Sequence, residues 1–442
     1  MNHPDKHIPA PAGQERILKI TAARSAVEEE ALLRPFGFKG SHLSRLWQTA
    51  VQLKSDNGHT AVGLGVQSVL WSDPEVCAAH SETAGNTLMY DITRKALELL
   101  EGISFTHPME LLDTIFDTLY AYGQRITGRT DLRRTFVLNA LVPVDNAAWL
   151  LYARENNLTG FDAMVPGSCR PALSARNSRI AAVPVVGYDT PDDTLLALLD
   201  EGHFFLKIKM GHPGAPADML EKDKARISQI HRLAGTRDTP ETPDGKIRYY
   251  LDANGRYPNK DLLRQLLDHV SAIGALEQVA LLEEPFPEHY EAGVSDLGVR
   301  IAADESAHTD TDLAARIRMG YGAVALKAIA KTLSMTLKMA GLAHREGLPC
   351  FCADLTVNPV LVEWNKNVAA RLAPFPGLQT SLLEANGHQH YKDWDRLCSY
   401  NPAKDASWTE ARQGSFALDE QYYRESGGIF KRSEHYENLF SR

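Results

Sequence analysis

The sequence predicts an α/β protein in which a (β/α)8-type barrel, in the modified (β/α)7β form, follows an N-terminal α+β capping domain. Short apolar runs of strand length alternate with helix-length segments between residues 181 and 392, which is the pattern of βα units in a parallel sheet. Several of these runs end on a charged residue. Before them, a hairpin pattern and three helical patterns occupy residues 16–160. We therefore expect a barrel whose strand ends carry the chemistry.

The barrel prediction rests on about eight strand candidates. Each run is short and apolar, as buried strands are, and helical segments intervene at 261–276, 333–346 and 359–372. The strand candidates are residues 181–187, 204–209, 249–252, 279–284, 300–305, 324–327, 348–353 and 378–383. A TIM barrel over residues 181–392 fits this count and length.

The beginning of the chain predicts an antiparallel meander. A strand is expected at residues 17–22, and a Gly-rich loop at residues 34–40. Residues 47–54 alternate between apolar and polar, and Asn57-Gly58 leads into a second run at residues 60–69. Because Asn-Gly accepts the positive φ angles of a tight turn, these two runs are expected to form a hairpin.

Helical patterns complete the predicted capping domain. They cover residues 82–101, 108–126 and 132–155, and the second begins with a proline at a favourable first helical position. Residues 1–15 are polar and are expected to be disordered. The tail at residues 393–442 is expected to pack back onto the capping domain.

Composition excludes several classes of protein. The net charge of −9 argues against a nucleic-acid binder, which needs a concentrated basic face. No run approaches the roughly 18 apolar residues of a membrane span, and the N-terminus lacks the build of a signal peptide. The five scattered cysteines suit reduced thiols rather than a disulfide framework. A cytoplasmic protein that binds neither nucleic acid nor membrane is the expectation.

Three carboxylates end successive candidate strands, namely Asp252, Glu283 and Asp304. A single strand-end carboxylate could equally be a helix cap or a solvated loop charge. Three at successive strand ends form a set of oxygen ligands, which hard divalent cations select. The pattern therefore predicts a Mg²⁺ site at the carboxyl end of the barrel.

Three lysines accompany these carboxylates. Lys207 and Lys209 alternate on one strand and so project to the same side, while Lys327 ends a strand across the barrel. Crowding with other cations lowers a lysine pKa toward the range in which the amine acts as a base. A metal with a lysine on each side could remove a proton from one face of a carbon and return one to the other.

These motifs resemble the enolase superfamily and, within it, the muconate lactonizing enzyme subgroup of the mandelate racemase/muconate lactonizing enzyme family. The resemblance covers most of the chain from about residue 17, and its motifs occur in the family's order, each about one βα unit apart. They are Lys207-Ile208-Lys209, Asp252-Ala253-Asn254, Glu283-Glu284-Pro285, Asp304-Glu305-Ser306 and Ala325-Leu326-Lys327.

The resemblance implies roles for individual residues. The implied ligands of one Mg²⁺ ion per subunit are Asp252, Glu283 and Asp304. The implied acid/base residues are Lys209 and Lys327, with Lys207 as an electrostatic companion. The resemblance further implies a small-molecule carboxylate as substrate, and a homo-oligomer. The mandelate racemase subgroup would need a histidine on the seventh strand, and residues 349–354 contain none.

The residues that bind the remainder of the substrate are less defined. Dipeptide epimerases of the subgroup usually carry Asp-x-Asp on the eighth strand, and this chain has Glu384-Ala385-Asn386 instead. Asp354 or Glu384 could hold a substrate ammonium, or either could be a local cap. Loops of the capping domain set specificity in this family, and Phe38 and Arg45 are the candidates here.

The leading hypothesis is an isomerase that abstracts the proton α to a carboxylate through an enediolate, with racemisation or epimerisation preferred. Cycloisomerisation and β-elimination on the same scaffold are alternatives, the last of which would make the enzyme a lyase. Two hypotheses of other classes are a Schiff-base lyase, in which a lysine is the nucleophile, and a non-catalytic metal-binding scaffold.

Overall fold

The computed structural model describes residues 16–38 and 41–441 of the 442-residue chain. The disorder expected for residues 1–15 therefore lies outside the described residues.

The first part of the chain is a four-stranded antiparallel sheet packed with helices. The strand order is β3-β2-β1-β4. The strands are β1 (Leu18–Phe38), β2 (Ser41–Ser55), β3 (Thr60–Gln67) and β4 (Ser104–Phe105). The helices are α1 (Val69–Ser72), α2 (Pro74–His80), α3 (Glu82–Leu100), α4 (Pro108–Thr127), α5 (Arg134–Glu155) and α6 (Phe161–Met164). The three long helices predicted from the sequence correspond to α3, α4 and α5.

The hairpin of β1 and β2 is longer than the sequence predicted. Pairing with β2 is interrupted between Ala31 and Phe36 and then resumes, because Phe36 pairs with Leu43 and Gly37 pairs with His42, so the strand reaches Phe38. The Gly-rich loop predicted at residues 34–40 is therefore wrong for residues 34–38. Pro35 lies in the irregular part of this pairing, whereas at Gly37 the ladder with β2 outweighs the turn preference of glycine.

Helix α5 forms the centre of the N-terminal part. A Cβ atom added at Gly63 on β3 would lie 2.1 Å from the backbone nitrogen of Ala147, so glycine lets the strand approach the helix closely. Residues 134–155 are long and apolar enough to cross a membrane, but the apolar stretch is wholly buried inside the protein. This burial is typical of a core helix.

The second part of the chain is the predicted barrel. Its strands are β5 (Arg179–Val183), β6 (Val185–Val186), β7 (Phe205–Lys209), β8 (Arg248–Asp252), β9 (Val279–Glu283), β10 (Ile301–Ala303), β11 (Ala323–Leu326), β12 (Cys350–Cys352) and β13 (Ser381–Glu384). Neighbouring strands from β6 to β13 pair in parallel, in sequence order.

The barrel closes through one strand that is interrupted at Pro184. β5 pairs in parallel with β13, and β6 pairs in parallel with β7. Pro184 has no N–H to donate, but its carbonyl accepts a hydrogen bond from the Lys207 backbone N–H at 3.1 Å. Counted as one strand, β5 and β6 make the eight positions that the sequence predicted.

Helices follow the barrel strands except β9, which leads to β10 through residues 284–300 without a helix. They are α7 (Asp192–Asp200), α8 (Pro216–Ala234), α9 (Lys260–Ala272), α10 (Asp310–Arg318), α11 (Leu333–Arg345), α12 (Pro359–Ala369) and α13 (Gly387–His390). Short 3-10 helices lie at Arg170–Leu173, Leu276–Gln278 and Ser426–Gly428. The eighth strand is followed by the four-residue α13 rather than a full helix, which is the modified (β/α)7β form.

The C-terminal segment contacts both parts of the protein. It contains α14 (Trp394–Ser399), β14 (Ala411–Arg412), β15 (Ser415–Ala417), α15 (Glu420–Glu425) and α16 (Glu434–Asn438). Arg396 forms an ion pair with Glu30 of β1 at 2.5 Å, and His435 Nε2 lies within hydrogen-bond distance of Glu28 Oε1 at 2.7 Å. β15 also pairs antiparallel with β5 of the barrel. The sequence pattern did not indicate this second contact.

Candidate active site

The carboxyl ends of the barrel strands open into a pocket of about 710 Å³, a volume that includes the space at its mouth. The N-terminal part contributes Phe36, Trp71, Ser72, Arg133 and Thr135 to its wall. The charged residues of the barrel that line it are Lys207, Lys209, Asp252, Asp304, Glu305, Lys327, Lys331, Asp354 and Glu384. The strand-end residues predicted from the sequence therefore converge, with Glu283 completely buried beside them.

Lys207 is enclosed by carboxylates from three other strands. Its Nζ lies 3.0 Å from Asp252 Oδ2, 3.1 Å from Glu283 Oε1 and 3.0 Å from Glu384 Oε2. Burial alone would lower the pKa of Lys207, but the three carboxylates outweigh burial and raise it well above its usual range. With only 4% of its side chain exposed, Lys207 is a fixed ammonium that joins the strands.

Lys209 presents a more accessible ammonium group. Its side chain is 17% exposed, and its Nζ donates to Asp252 Oδ2 at 2.6 Å and to Asn254 Oδ1 at 3.1 Å. Residues two apart on a strand project to the same side, so Lys207 and Lys209 meet the same carboxylate oxygen. Lys209 therefore faces the pocket from the second barrel strand.

Lys327 faces the pocket from the opposite wall. It follows the sixth strand, four positions around the barrel from the strand of Lys209. Its Nζ donates to Asp304 Oδ2 at 2.5 Å, and its side chain is 13% exposed. Burial would lower the pKa of Lys327, but Asp304 and Glu283 outweigh burial and raise it. The contact with Asp304 therefore favours the ammonium form of Lys327, rather than the lowered lysine pKa expected from the sequence.

Lys331 is a fourth lysine of the site, and no sequence motif indicated it. Its Nζ donates to the backbone carbonyls of Asp304 and Ala307 at 2.8 and 2.9 Å, and lies 3.4 Å from Asp304 Oδ1. Its pKa is lowered, mainly by burial. Through these hydrogen bonds, Lys331 stabilises the loop that carries Asp304.

Three carboxylates come together at the ends of the fourth and fifth strands. Glu283, Asp304 and Glu305 each offer an oxygen, and these oxygens lie within 4.8 Å of one another. Glu305 Oε1 accepts a hydrogen bond from Asn254 Nδ2 at 2.9 Å. Glu305 Oε2 is buried and has no hydrogen-bond partner among the described residues. The Tyr250 hydroxyl donates to Glu283 Oε2.

The pKa values of these carboxylates move in opposite directions. Burial, with the nearby Asp252 and Asp304 carboxylates, raises the pKa of Glu283 well above its usual range, although Lys207 works against this rise. Burial would also raise the pKa of Asp304, but Lys327 and Lys331 bring it down to about 2. Asp304 is therefore ionised at neutral pH.

Asp252 occupies a different environment from the other two predicted ligands. It is fully buried, and its Oδ1 accepts the Asn254 backbone N–H at 3.1 Å. Burial would raise its pKa, but Lys207 and Lys209 outweigh burial and lower it below its usual range. The sequence grouped Asp252 with Glu283 and Asp304, whereas the three oxygens that lie closest include Glu305 instead.

The donor set fits a hard divalent cation. All of the candidate ligands are carboxylate oxygens, which Mg²⁺ prefers over nitrogen or sulfur. Glu283 and Asp304 belong to the close group, and Asp252 reaches Glu283 through their common partner Lys207. The buried oxygen of Glu305 that lacks a partner adds a further acceptor on the same side of the pocket.

Asp354 and Glu384 line the pocket but are largely engaged by the protein. Asp354 Oδ1 accepts the Leu355 backbone N–H at 2.7 Å, and Oδ2 accepts the Asn386 backbone N–H at 2.7 Å. Glu384 Oε2 binds Lys207, and its Oε1 accepts Asn386 Nδ2 at 3.0 Å. Burial raises the pKa of Asp354 to about 7. These contacts favour the local-cap interpretation for Asp354.

The two candidates from the capping domain do not gain support. Arg45 lies outside the pocket, because its strand neighbour Leu46 faces the core and the Arg45 side chain is 61% exposed beside Glu29. Arg45 is not among the residues that line the pocket, so its predicted contact with the substrate gains no support from this geometry. Phe38 ends β1, and its side chain lies outside the described residues. Phe36, two residues earlier, lines the pocket and packs edge-to-face on Trp71 at 5.0 Å.

Comparisons with known proteins agree with this architecture. Residues 193–397 match the family model described as "Enolase C-terminal domain-like". A mandelate racemase/muconate lactonizing protein from Herpetosiphon aurantiacus superposes with a TM-score of 0.60 and 16% identity, over 85% of this chain and 91% of that chain. A dipeptide epimerase from Enterococcus faecalis V583, solved with Mg and L-Leu-L-Tyr, superposes with a TM-score of 0.60 and 15% identity, over 85% and 92%.

A third similar structure has a different activity. L-Talarate dehydratase from Polaromonas sp. JS666, solved with Mg and L-glucarate, superposes with a TM-score of 0.57 and 17% identity, over 81% of this chain and 86% of that chain. No curated protein matches the chain. At these identities the solved structures establish the fold and leave the overall reaction open.

The capped barrel and the matched family model define the class of the protein. The barrel portion of the chain, residues 193–397, therefore matches the enolase C-terminal domain-like family. This match agrees with the resemblance that the sequence motifs showed to the mandelate racemase/muconate lactonizing enzyme family.

Proposed function

We propose that this protein is a Mg²⁺-dependent enzyme that removes the proton α to a substrate carboxylate, and that its overall reaction is a racemisation or an epimerisation. The observation that carries the proposal is the placement of Lys209 and Lys327. Their ammonium groups reach one pocket from strands on opposite sides of the barrel, and the carboxylates of the intervening strands lie between them.

The two lysines account for proton transfer on both faces of the α-carbon. Lys209 and Lys327 are each in reach of the pocket, whereas Lys207 is almost completely enclosed. For one enantiomer, Lys209 as the free amine takes the α-proton while Lys327 as the ammonium donates a proton to the other face. For the other enantiomer the two roles exchange. This pair of bases supports the muconate lactonizing enzyme subgroup.

We propose that Asp252, Glu283 and Asp304 hold the Mg²⁺ ion. When bound there, the ion stabilises the negative charge that develops on the substrate carboxylate as the enediolate forms. Lys207 offsets part of the negative charge of this ligand set, because its fixed ammonium group contacts two of these three carboxylates. The carboxylate substrate is thereby oriented with its α-carbon between the two lysines.

β-Elimination and cycloisomerisation share this first proton abstraction. The likeness to L-talarate dehydratase, at nearly the same TM-score as the dipeptide epimerase, keeps elimination as the second candidate. An elimination would release a leaving group from the β-carbon and give a product of lower mass. A cycloisomerisation would conserve mass and form a ring.

The direct test is exchange of the α-proton in D₂O. Purified protein with Mg²⁺ is mixed with pooled N-acyl amino acids, dipeptides and hydroxy acids, and the α-proton signals are followed by NMR. We expect loss of the α-proton signal for at least one pool, and inversion of configuration on chiral chromatography. Failure of every pool to exchange, with Mg²⁺ still bound, would contradict the proposal. Borohydride trapping of substrate on a lysine would favour a Schiff-base lyase instead.

A further inference from the structure

Asn254 links Lys209 to a carboxylate on another strand. Asn254 Oδ1 accepts a hydrogen bond from Lys209 Nζ at 3.1 Å, and Asn254 Nδ2 donates to Glu305 Oε1 at 2.9 Å. The amide therefore bridges the second strand, which carries Lys209, and the loop after the fifth strand, which carries Glu305. All three residues line the pocket.

The chemistry of the two partners fixes the orientation of the amide. An ammonium group only donates hydrogen bonds, and an ionised carboxylate only accepts them. Asn254 must therefore turn its oxygen toward Lys209 and its NH₂ group toward Glu305. Charge-assisted bonds of this kind are stronger than neutral ones, so they oppose a flip of the amide.

The backbone of Asn254 is fixed as well. Its φ angle is +47°, in the left-handed region that asparagine tolerates better than most residues. Its N–H donates to Asp252 Oδ1 at 3.1 Å, and only 5% of the residue is exposed. A buried side chain on a fixed backbone can hold the Lys209 ammonium at a defined place.

Lys327 is held differently. Its short contact is with Asp304 at 2.5 Å, and among the described residues it makes no hydrogen bond to Asn254 or Glu305. Glu305 does add to the field that raises the pKa of Lys327, whereas Asn254 is neutral. Substitution of Asn254 should therefore disturb one face of the pocket more selectively than substitution of Glu305.

We propose that Asn254 and Glu305 are positioning residues for Lys209, with Glu305 acting through Asn254. The inference rests on the proposed function, because it assigns the pair to one of two proton-transfer faces. It predicts an asymmetry: loss of the link slows proton transfer on the Lys209 face and spares the Lys327 face.

The test measures α-proton exchange for each enantiomer of one substrate separately. Lys209→Ala and Lys327→Ala first establish which enantiomer depends on which lysine. We expect Asn254→Ala to slow exchange of the Lys209-dependent enantiomer about tenfold or more, as misplacement of a base does, and the other enantiomer less than about threefold. Glu305→Gln should slow the Lys209-dependent enantiomer by less than Asn254→Ala does, because a glutamine can let the Asn254 amide flip. Its effect should also be less selective, because the lost charge acts on Lys327 as well.

Asn259→Ala is the matched control. Asn259 lies in the same βα loop, caps α9 through the Leu262 backbone N–H at 2.9 Å and does not line the pocket. It should leave the ratio of the two exchange rates unchanged. Mg²⁺ affinity of Asn254→Ala, measured by calorimetry, should stay within about threefold of wild type, since Asn254 is not a carboxylate ligand.

Three outcomes would overturn the inference. If Asn254→Ala lowered the exchange rates of both enantiomers equally, the result would indicate general damage to the site. If it lowered neither exchange rate, Lys209 would need no such support. Both leave the proposed function intact. Absence of exchange by the wild type with every substrate pool would overturn the proposed function, and the positioning role with it.

Discussion

Glu384 Oε2 lies 3.0 Å from Lys207 Nζ and joins the eighth barrel strand to the second. Both side chains are nearly buried, with 6% and 4% exposed. Lys207 also contacts two carboxylates proposed to bind metal, so Glu384 supplies a third negative charge that remains with Lys207 whatever those two carboxylates bind. Glu384 therefore contributes to stability as well as lining the pocket.

Replacing Glu384 with Gln should destabilise the protein by about 1–3 kcal/mol, because a buried ammonium loses one charged partner and keeps two others. The measurement is chemical denaturation at pH 7.5. Glu410→Gln is the control, since the Glu410 side chain is 73% exposed and its loss should cost less than about 0.5 kcal/mol. Equal stability of the Glu384 variant and wild type would contradict this assignment.

Removal of Asp304 should weaken metal binding. Asp304→Asn removes one of the proposed ligands while keeping the shape of the side chain, and we expect Mg²⁺ affinity by calorimetry to fall at least about tenfold. Asp354→Asn, in the same pocket, should change Mg²⁺ affinity less than about threefold, because backbone N–H groups already engage that carboxylate. Similar losses for both variants would mean that the ligand set is wrong.

Asp145 should make stability depend on pH. It joins α5 to the barrel, where its Oδ1 accepts the Ser334 hydroxyl at 2.5 Å and its Oδ2 accepts the Ser334 N–H at 3.1 Å. Burial raises its pKa from 3.8 to about 6. Between these two values the folded protein binds a proton that the unfolded chain does not, so the stability that Asp145 contributes falls as pH rises through this window.

Asp145→Asn should remove this dependence while keeping two hydrogen bonds to Ser334, whose hydroxyl can accept as well as donate. The free energy of unfolding of the variant, relative to that of wild type, should rise by up to about 3 kcal/mol between pH 4 and pH 7.5. Each pKa unit is worth about 1.4 kcal/mol. Denaturation curves at the two pH values measure this difference. A stability difference between variant and wild type that does not change with pH would contradict the raised pKa.

Local patterns predicted most of the barrel. The strand candidates placed Lys209, Asp252, Glu283 and Lys327 at or next to their ends, and each of these residues lies at or next to the end of an observed strand. The βα rhythm and parallel pairing fix this geometry, so short-range apolar patterns were sufficient. The charged motifs at the strand ends indicated the class of protein through their resemblance to the enolase superfamily.

Other features depended on contacts that no local pattern contains. In the sequence, Lys331 cannot be distinguished from other polar residues that follow a strand. Its position in the site follows from its hydrogen bonds to the carbonyls of Asp304 and Ala307. Arg45 and Leu46 could each have faced the core, because a shift of one residue exchanges the two sides of a strand. For Asn254 and Glu305 the sequence did contain a signal of a role in the site, because both residues lie within the motifs that carried the resemblance.

The pairing of β15 with β5 was likewise hidden in the sequence. Ser415–Ala417 is too short to be recognised as a strand by alternation, and its partner lies more than 200 residues away. Its pairing depends on the free edge that β5 offers where Pro184 divides the first barrel strand.

The central claim is that Lys209 and Lys327 act on opposite faces of one α-carbon. The most direct measurement is enantiomer-resolved α-proton exchange in D₂O by wild type, Lys209→Ala and Lys327→Ala, each loaded with Mg²⁺. We predict that each variant loses exchange of a different enantiomer by at least about 100-fold, because a positioned acid or base contributes that much to proton transfer. Loss of the same enantiomer in both variants, or retention of both enantiomers in either, would contradict the two-base account.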